Sequence, residues 1–128
     1  MLLEGINHAA IICSDYERAK KFYTDILKLK VVAENYREHR QSYKLDLELP
    51  NGNKIELFSF PESPLRVTNP EARGLRHLAF IVKSVRDSVE HLKSCDVEVE
   101  PIRIDEYTGK EYTFFKDPDG LPLELYEK

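Results

Sequence analysis

No stretch of these 128 residues is long and apolar enough to cross a bilayer, and no apolar leader precedes the first charged residues. The expectation is a cytoplasmic protein with no membrane partner. Cysteine is scarce as well. Cys13 and Cys95 are the only two, too few for a disulfide framework and without the paired spacing of a zinc or redox motif, so both are expected as buried small hydrophobes. A basic block is also missing. Nineteen Lys and Arg stand against 23 Asp and Glu, a formal charge of -4 spread along the chain, and nothing resembles the cationic footprint of a phosphate-backbone binder. Nucleic acid is therefore not an expected partner.

What is present is a globular composition, 41% apolar and 33% charged. The length suits one domain, or two small halves sharing a core. The residue pattern favours two halves. Gly5 to Ile12 reads as a strand, Ser14 through Glu17 gives a capping signal, and Tyr16 to Leu27 places Ala19, Phe22, Tyr23, Ile26 and Leu27 at helical spacing. Strands Leu29 to Tyr36, Tyr43 to Leu49 and Lys54 to Phe58 follow, the last two parted by the turn Pro50-Asn51-Gly52-Asn53. After a Pro-punctuated connection the βαβββ order returns. It comprises Gly74 to Ile81, a helix Val85 to Lys93 capped by Ser84, and strands Val97 to Ile104, Glu111 to Lys116 and Leu121 to Tyr126. Gly5-x-x-His8 recurs as Gly74-x-x-His77, 69 residues on, and Glu56-Leu57-Phe58 recurs as Glu124-Leu125-Tyr126, 68 residues on.

Strand alternation isolates four of the repeated residues. His8 shares a face with Ala10 and Ile12, and His77 with Ala79 and Ile81. Glu56 lies opposite Ile55 and Leu57, and Glu124 opposite Leu123 and Leu125. The Leu and Ile faces suit packing against the helices, which turns both carboxylates toward the other surface. Taken singly, each is an ordinary strand histidine or surface acid. Their recurrence at matching places argues for a joint role, and burying such charged groups together is costly unless a cation pairs with them. The reading is one divalent metal held by His8, Glu56, His77 and Glu124. Oxygen and nitrogen ligands without thiolate favour zinc, nickel, cobalt, manganese or ferrous iron, with two of six positions left for water or substrate. Candidate substrate contacts are Arg37 and Arg40, with His39 between them, for an anionic group, and Phe58 and Phe114, joined by Tyr126, for an apolar wall. A solvated edge is the alternative for the arginines. Arg76 is expected to point away from His77, and Arg103 and Lys110 are read as surface residues.

Ile6-Asn7-His8, Ala19-Lys20-Lys21-Phe22-Tyr23 with Leu27, Lys54 to Phe58, Gly74 to Phe80 and Asp117-Pro118-Asp119-Gly120 leading to Glu124-Leu125 together resemble the vicinal oxygen chelate superfamily. The resemblance covers nearly the whole chain and is nearest to the glyoxalase I, or lactoylglutathione lyase, branch. It implies an α+β fold of two tandem βαβββ modules, the glyoxalase/bleomycin-resistance-like fold. One domain would span 1–128, with repeat halves of about 1–59 and 74–128 joined by 60–73. It also implies a His, Glu, His, Glu metal set falling on His8, Glu56, His77 and Glu124, and the homodimer common among short bacterial forms. Residues 36–40 and 60–74 depart from a recognisable glutathione-binding pattern, which leaves the thiol and substrate open.

The implied activity is that of a metal-dependent lyase or isomerase on a small oxygenated compound, such as the hemithioacetal of an α-keto aldehyde with a low-molecular-weight thiol. Chelation would acidify a C-H bond and stabilise an enediolate. Glu124, ahead of Glu56, is the expected proton-transfer base, because the Asp117 to Gly120 turn anchors its strand. The alternatives are an epimerase, a ring-cleaving dioxygenase, a thiol transferase and a sequestration module that binds without turnover. Glu56 as a fourth ligand counts against the dioxygenase and the transferase, and retention of all four side chains counts against the binder.

Overall fold

The computed structural model describes residues 1–128, and the chain divides into two compact units, Met1–Pro64 and Leu65–Lys128. The expected architecture of two tandem βαβββ modules is the one observed. In the N-terminal unit, β1 (His8–Cys13) leads to α1 (Tyr16–Lys21), whose end widens into a π turn at Phe22–Ile26. Then come β2 (Lys30–Arg37), a 3-10 turn at Glu38–Arg40, β3 (Ser42–Glu48) and β4 (Lys54–Ser59). The sheet order is β1-β4-β3-β2, with β1 parallel to β4 and the other pairs antiparallel. Alternation does the sorting. Ile11, Cys13, Leu45, Leu47, Ile55 and Leu57 are buried together with Tyr16, Ala19, Phe22 and Tyr23 of the helical segment, while His8, Ala10 and Ile12 stay exposed.

The C-terminal unit repeats the plan with β5 (Leu78–Val82), α2 (Val85–Ser94), β6 (Arg103–Ile104), β7 (Glu111–Lys116) and β8 (Pro122–Glu127). Its order is β5-β8-β7-β6, and β5 runs parallel to β8. Val85, Val89 and Leu92 form the buried stripe of α2, which contacts β7 and β8, where Phe115, Leu123 and Leu125 are buried. Ser84 caps α2 by accepting from the Asp87 amide at 3.1 Å. Before β8, buried Asp117 accepts from the amides of Asp119 and Leu121, both at 2.9 Å, and Gly120 takes the positive φ of 85° that the turn requires.

Several boundaries differ from expectation for local reasons. The first cap is Asp15 rather than Ser14, with its carboxylate accepting from the Arg18 amide at 3.1 Å. The helix does not stay α to Leu27, because the Leu27 amide reaches back five residues to the Phe22 carbonyl at 3.0 Å; the widened turn lets neighbouring Phe22 and Tyr23 both enter the core. β1 begins at His8 and β5 at Leu78, so His77 lies just ahead of its strand. The expected strand Val97 to Ile104 shrinks to Arg103–Ile104, with a lone bridge from Val99 to Phe115. Pro101 has no amide to give the ladder, and Thr113 instead donates its hydroxyl to the Glu100 carbonyl at 2.7 Å. Cys13 is buried but Cys95 is only half-buried, and neither forms a disulfide. No helix is long and apolar enough to cross a membrane.

On the helical side of the N-terminal unit, Tyr16 stacks on Tyr43 at 4.1 Å, and its hydroxyl donates to Glu34, which also accepts from Lys20 at 2.7 Å. Burial, then the Glu34 hydrogen bond, pushes the Tyr16 phenol well above its ordinary value. The Lys20 hydrogen bond, then that of Tyr16, holds the Glu34 carboxyl below the usual range. A depressed carboxyl contributes stability that is present above its unfolded value, roughly pH 4.3, and is lost as pH falls through the lower folded value. Urea unfolding should therefore show Glu34→Gln less stable than wild type at pH 7. That difference should shrink as pH falls below roughly 4; a gap independent of pH would sink the assignment.

Candidate functional site

The same ladder position is built in both units. In the parallel pair β1/β4, Ala10 sits opposite Glu56; in β5/β8, Ala79 sits opposite Glu124. A histidine stands two residues before each alanine, so alternation puts imidazole and carboxylate on one face with only a methyl group beside the acid. The ladder thus holds its register although the histidine and glutamate offsets differ by one residue. His8 Nδ1 lies 3.5 Å from Glu56 Oε2, and His77 Nε2 lies 3.0 Å from Glu124 Oε2. Both carboxylates are partly shielded, at 19% and 13% side-chain exposure, and so remain reachable by an ion.

The donor chemistry and spacing suit an intermediate divalent cation. Two ligands each about 2.1 Å from an ion and at right angles to one another stand about 3.0 Å apart, close to both observed separations. Each unit supplies one imidazole and one carboxylate at such a spacing. No group of three or more His, Cys, Asp or Glu is gathered anywhere in the chain, so the four-residue set expected from the sequence is present as two pairs.

Around the pairs the repeat diverges. Opposite Glu56 on β3 lies Asp46, whose neighbour Lys44 reaches Asp46 at 3.0 Å and Glu56 at 3.9 Å. Opposite Glu124 on β7 lies Phe114, which meets the His77 ring in a T-shaped contact at 5.0 Å. Tyr112 and Tyr126 continue this aromatic surface, stacked at 6.4 Å, and the Tyr126 hydroxyl donates to Asp105 at 2.9 Å. The Tyr107 amide, then Tyr126, holds the Asp105 carboxyl below its ordinary value. Arg103 lies over both Tyr112 and Phe114, at 5.0 and 5.6 Å.

Of the expected substrate contacts, Arg37 and Phe58 lie together, the guanidinium 4.9 Å from the ring, and Arg40 stacks 5.0 Å from Phe60. Phe58 and Phe60 stack on each other at 5.8 Å. Arg37 Nε is buried without a hydrogen-bond partner. Phe58 belongs to the N-terminal cluster, whereas Phe114 and Tyr126 share the C-terminal aromatic surface. Lys110 donates to the carbonyl of Lys128.

One expectation about the arginines fails. Arg76 does not point away from His77; its long side chain, paired with Glu71, brings Nη1 within 3.2 Å of His77 Nδ1. Arg103 is exposed, as expected, and also lies over two rings. Tyr112, Arg76 and Lys116 were also missed as site residues. The alternation of Glu111 to Lys116, which puts Tyr112, Phe114 and Lys116 on one face, was the available signal for two of them. The C-terminal unit also contains a cleft of about 350 Å³ whose walls include Arg66, Arg76, Arg103, Phe114, Lys116 and Pro122.

A family profile described as the Glyoxalase/Bleomycin resistance protein/Dioxygenase superfamily matches residues 5–125. The chain is 59% identical to the protein YwkD of Bacillus subtilis (strain 168) over 128 residues, all of both chains. It is 45% identical to a glyoxalase family protein from Enterococcus faecalis of known crystal structure, with a TM-score of 0.91 and 99% of this chain and 100% of that one covered. It is also 26% identical over 127 residues to the metallothiol transferase FosB of Staphylococcus saprophyticus, covering 98% of this chain and 78% of that one.

The T-shaped contact implies that Phe114 orients the His77 ring. In Phe114→Ala the ring-proton resonances of His77 should move and broaden, while those of His8 stay in place. Unchanged His77 resonances would show that the phenyl ring does not position it.

Proposed function

This chain belongs to the Glyoxalase/Bleomycin resistance protein/Dioxygenase superfamily, and we propose that within it the protein is a divalent-metal-dependent lyase or isomerase of glyoxalase type. The observation that carries the reading is the duplicated ladder position, a histidine two residues before an alanine that faces a glutamate, once in each unit. His8, Glu56, His77 and Glu124 are the ligands we assign to one ion, which is zinc, nickel, cobalt, manganese or ferrous iron. The likeness to a protein named as a metallothiol transferase supports metal use. When bound, the ion supplies Lewis acidity to neighbouring substrate oxygens and makes the adjacent C-H bond more acidic. The substrate class is a small oxygenated compound, with the hemithioacetal of a low-molecular-weight thiol as its leading member, and the working assembly is a homodimer.

The proton is moved by a carboxylate of this chain. His8 and His77 each commit a ring nitrogen to the ion, which leaves Glu56 and Glu124. Their surroundings separate them. Glu56 Oε2 lies near both His8 and Lys44, so this carboxylate is braced by two cationic or donor groups. Glu124 is paired with His77 and has no lysine beside it, so less fixed positive charge opposes its taking a substrate proton. Phe114 lies opposite Glu124 on β7, and the Asp117 turn anchors the strand that carries the acid. We therefore assign the base role to Glu124, with Glu56 as a ligand.

Metal analysis tests the ligand assignment. The purified protein should hold one ion per chain, and His8→Ala and His77→Ala should each lower that stoichiometry; full retention in both variants would reject the ligands. Mixing the two variants under subunit exchange should restore one of the two sites in each heterodimer if the ligand pairs are combined across a homodimer, and none if they are combined within one chain.

A second measurement tests the base. With a turned-over hemithioacetal, found by screening thiol adducts of methylglyoxal, Glu124→Gln should retain metal. It should slow exchange of the substrate C-H hydrogen with solvent by about 10²–10⁴-fold, the usual range for loss of a general base. Glu56→Gln should slow exchange less at equal occupancy. Exchange at the wild-type rate in metal-loaded Glu124→Gln would remove Glu124 from the role.

A further inference from the structure

The cleft of the C-terminal unit has a charge opposite to that of the chain. Its walls carry Arg66, Arg76, Arg103 and Lys116 against Glu71 and Glu100, a local excess of positive charge in a protein whose formal charge is -4. The cations are not all consumed by the acids. Lys116, at the end of β7, has no polar partner. Arg103 reaches Glu100 only at 3.4 Å, while the rings of Tyr112 and Phe114 support its guanidinium and leave its edge donors available. Arg66 uses one nitrogen, Nη2, for the carbonyls of Leu75 and Arg76, at 3.1 and 2.9 Å, which ties the 65–76 segment into the cleft wall. Arg76 pairs with Glu71.

The cleft is also joined to the His77–Glu124 pair. Phe114 forms part of its wall and makes the T-shaped contact with His77, and Arg76 lines it while lying 3.2 Å from His77 Nδ1. A molecule with one end at the His77–Glu124 pair would meet these cations at its other end. Phe114, Pro122 and Val67 supply apolar wall between the charges, which strengthens attraction for an ion seated there.

We propose that this cleft seats an oxyanionic group, a phosphate, phosphonate or carboxylate, with Lys116 and Arg103 as its principal contacts. The group belongs to the small molecule that the His77–Glu124 pair helps to bind, and only that link rests on the function proposed above. Arg37 and Arg40, the sequence-level candidates for an anion clamp, are stacked on Phe58 and Phe60 in the other unit and are not part of this cleft.

Amide and side-chain NMR titration of the full chain with inorganic phosphate, methylphosphonate and acetate tests the proposal, before and after removal of metal by a chelator. Phosphate and methylphosphonate should shift the resonances of Lys116, Arg103 and Phe114 with dissociation constants on the order of millimolar. Lys116→Gln and Arg103→Gln, with folded spectra, should each weaken binding about tenfold, as expected for loss of one charge-assisted hydrogen bond. If acetate binds at the same resonances and the phosphorus anions do not, the group is a carboxylate. Three results would overturn the proposal: no shift with any anion, undiminished affinity in both variants, or binding that disappears with the metal. His77→Ala separates this proposal from the metal assignment, because it should lower metal content while phosphate still binds. Full metal content in that variant would count against the ligand set and leave the anion cleft standing.

Discussion

The pairing register of two parallel strand pairs governs the site. β1 against β4 and β5 against β8 each place an alanine opposite a glutamate, and alternation turns the preceding histidine toward the same open face. A one-residue slip in either ladder would send the carboxylate into the apolar side occupied by Leu57 or Leu125. The buried leucines therefore do more than stabilise the sheet. They make the slipped register expensive, because a charged group would replace Leu57 or Leu125 in contact with the helical layer. The geometry of the polar face is in this sense enforced by the apolar one.

That enforcement explains how one repeated scaffold holds two different surroundings. At the position opposite the glutamate the N-terminal unit has Asp46 and the C-terminal unit has Phe114, and at the next open-face position they have Lys44 and Tyr112. None of these residues is needed to hold the register, so they are free to differ. The result is a salt-bridged carboxylate in one unit and an aromatic-walled carboxylate in the other. The asymmetry gives the two glutamates distinct chemical opportunities, which the near-identical backbone positions alone would not.

The fold was legible in the sequence because its main signals are local: alternation along the strands, the Ser84 cap, the turn at Asp117 to Gly120, and the apolar stripe of α2. The His and Glu positions were legible because they recur. What could not be read depends on contacts between segments distant in sequence. The π turn follows from accommodating Phe22 and Tyr23 together in the core, and the loss of most of the expected Val97 to Ile104 strand follows from Pro101 and from the Thr113 hydroxyl taking the Glu100 carbonyl. The cleft is a further case. Its wall combines the 65–76 connection, which has no regular period, with β7 and Arg103, and only the folded unit puts these cations beside Phe114.

The pairs also alter the expected relation between folding and metal. Read from the sequence, four converging polar groups require a cation to offset the cost of burial. In the folded chain each imidazole is instead matched with one carboxylate, and both members of each pair keep some solvent exposure. His77 can donate from Nε2 to Glu124, while Nδ1 faces Arg76, so the pair satisfies its own polar groups. Such an arrangement differs from a structural zinc site, whose ligands need the ion in order for the domain to fold. Here the large buried clusters, Leu45, Leu47 and Leu57 in one unit and Val85, Phe115 and Leu123 in the other, contain none of His8, Glu56, His77 and Glu124. The apolar groups that stabilise the fold and the two His–Glu pairs thus occupy opposite faces of the same sheets, and a substitution in either pair has little direct effect on the core.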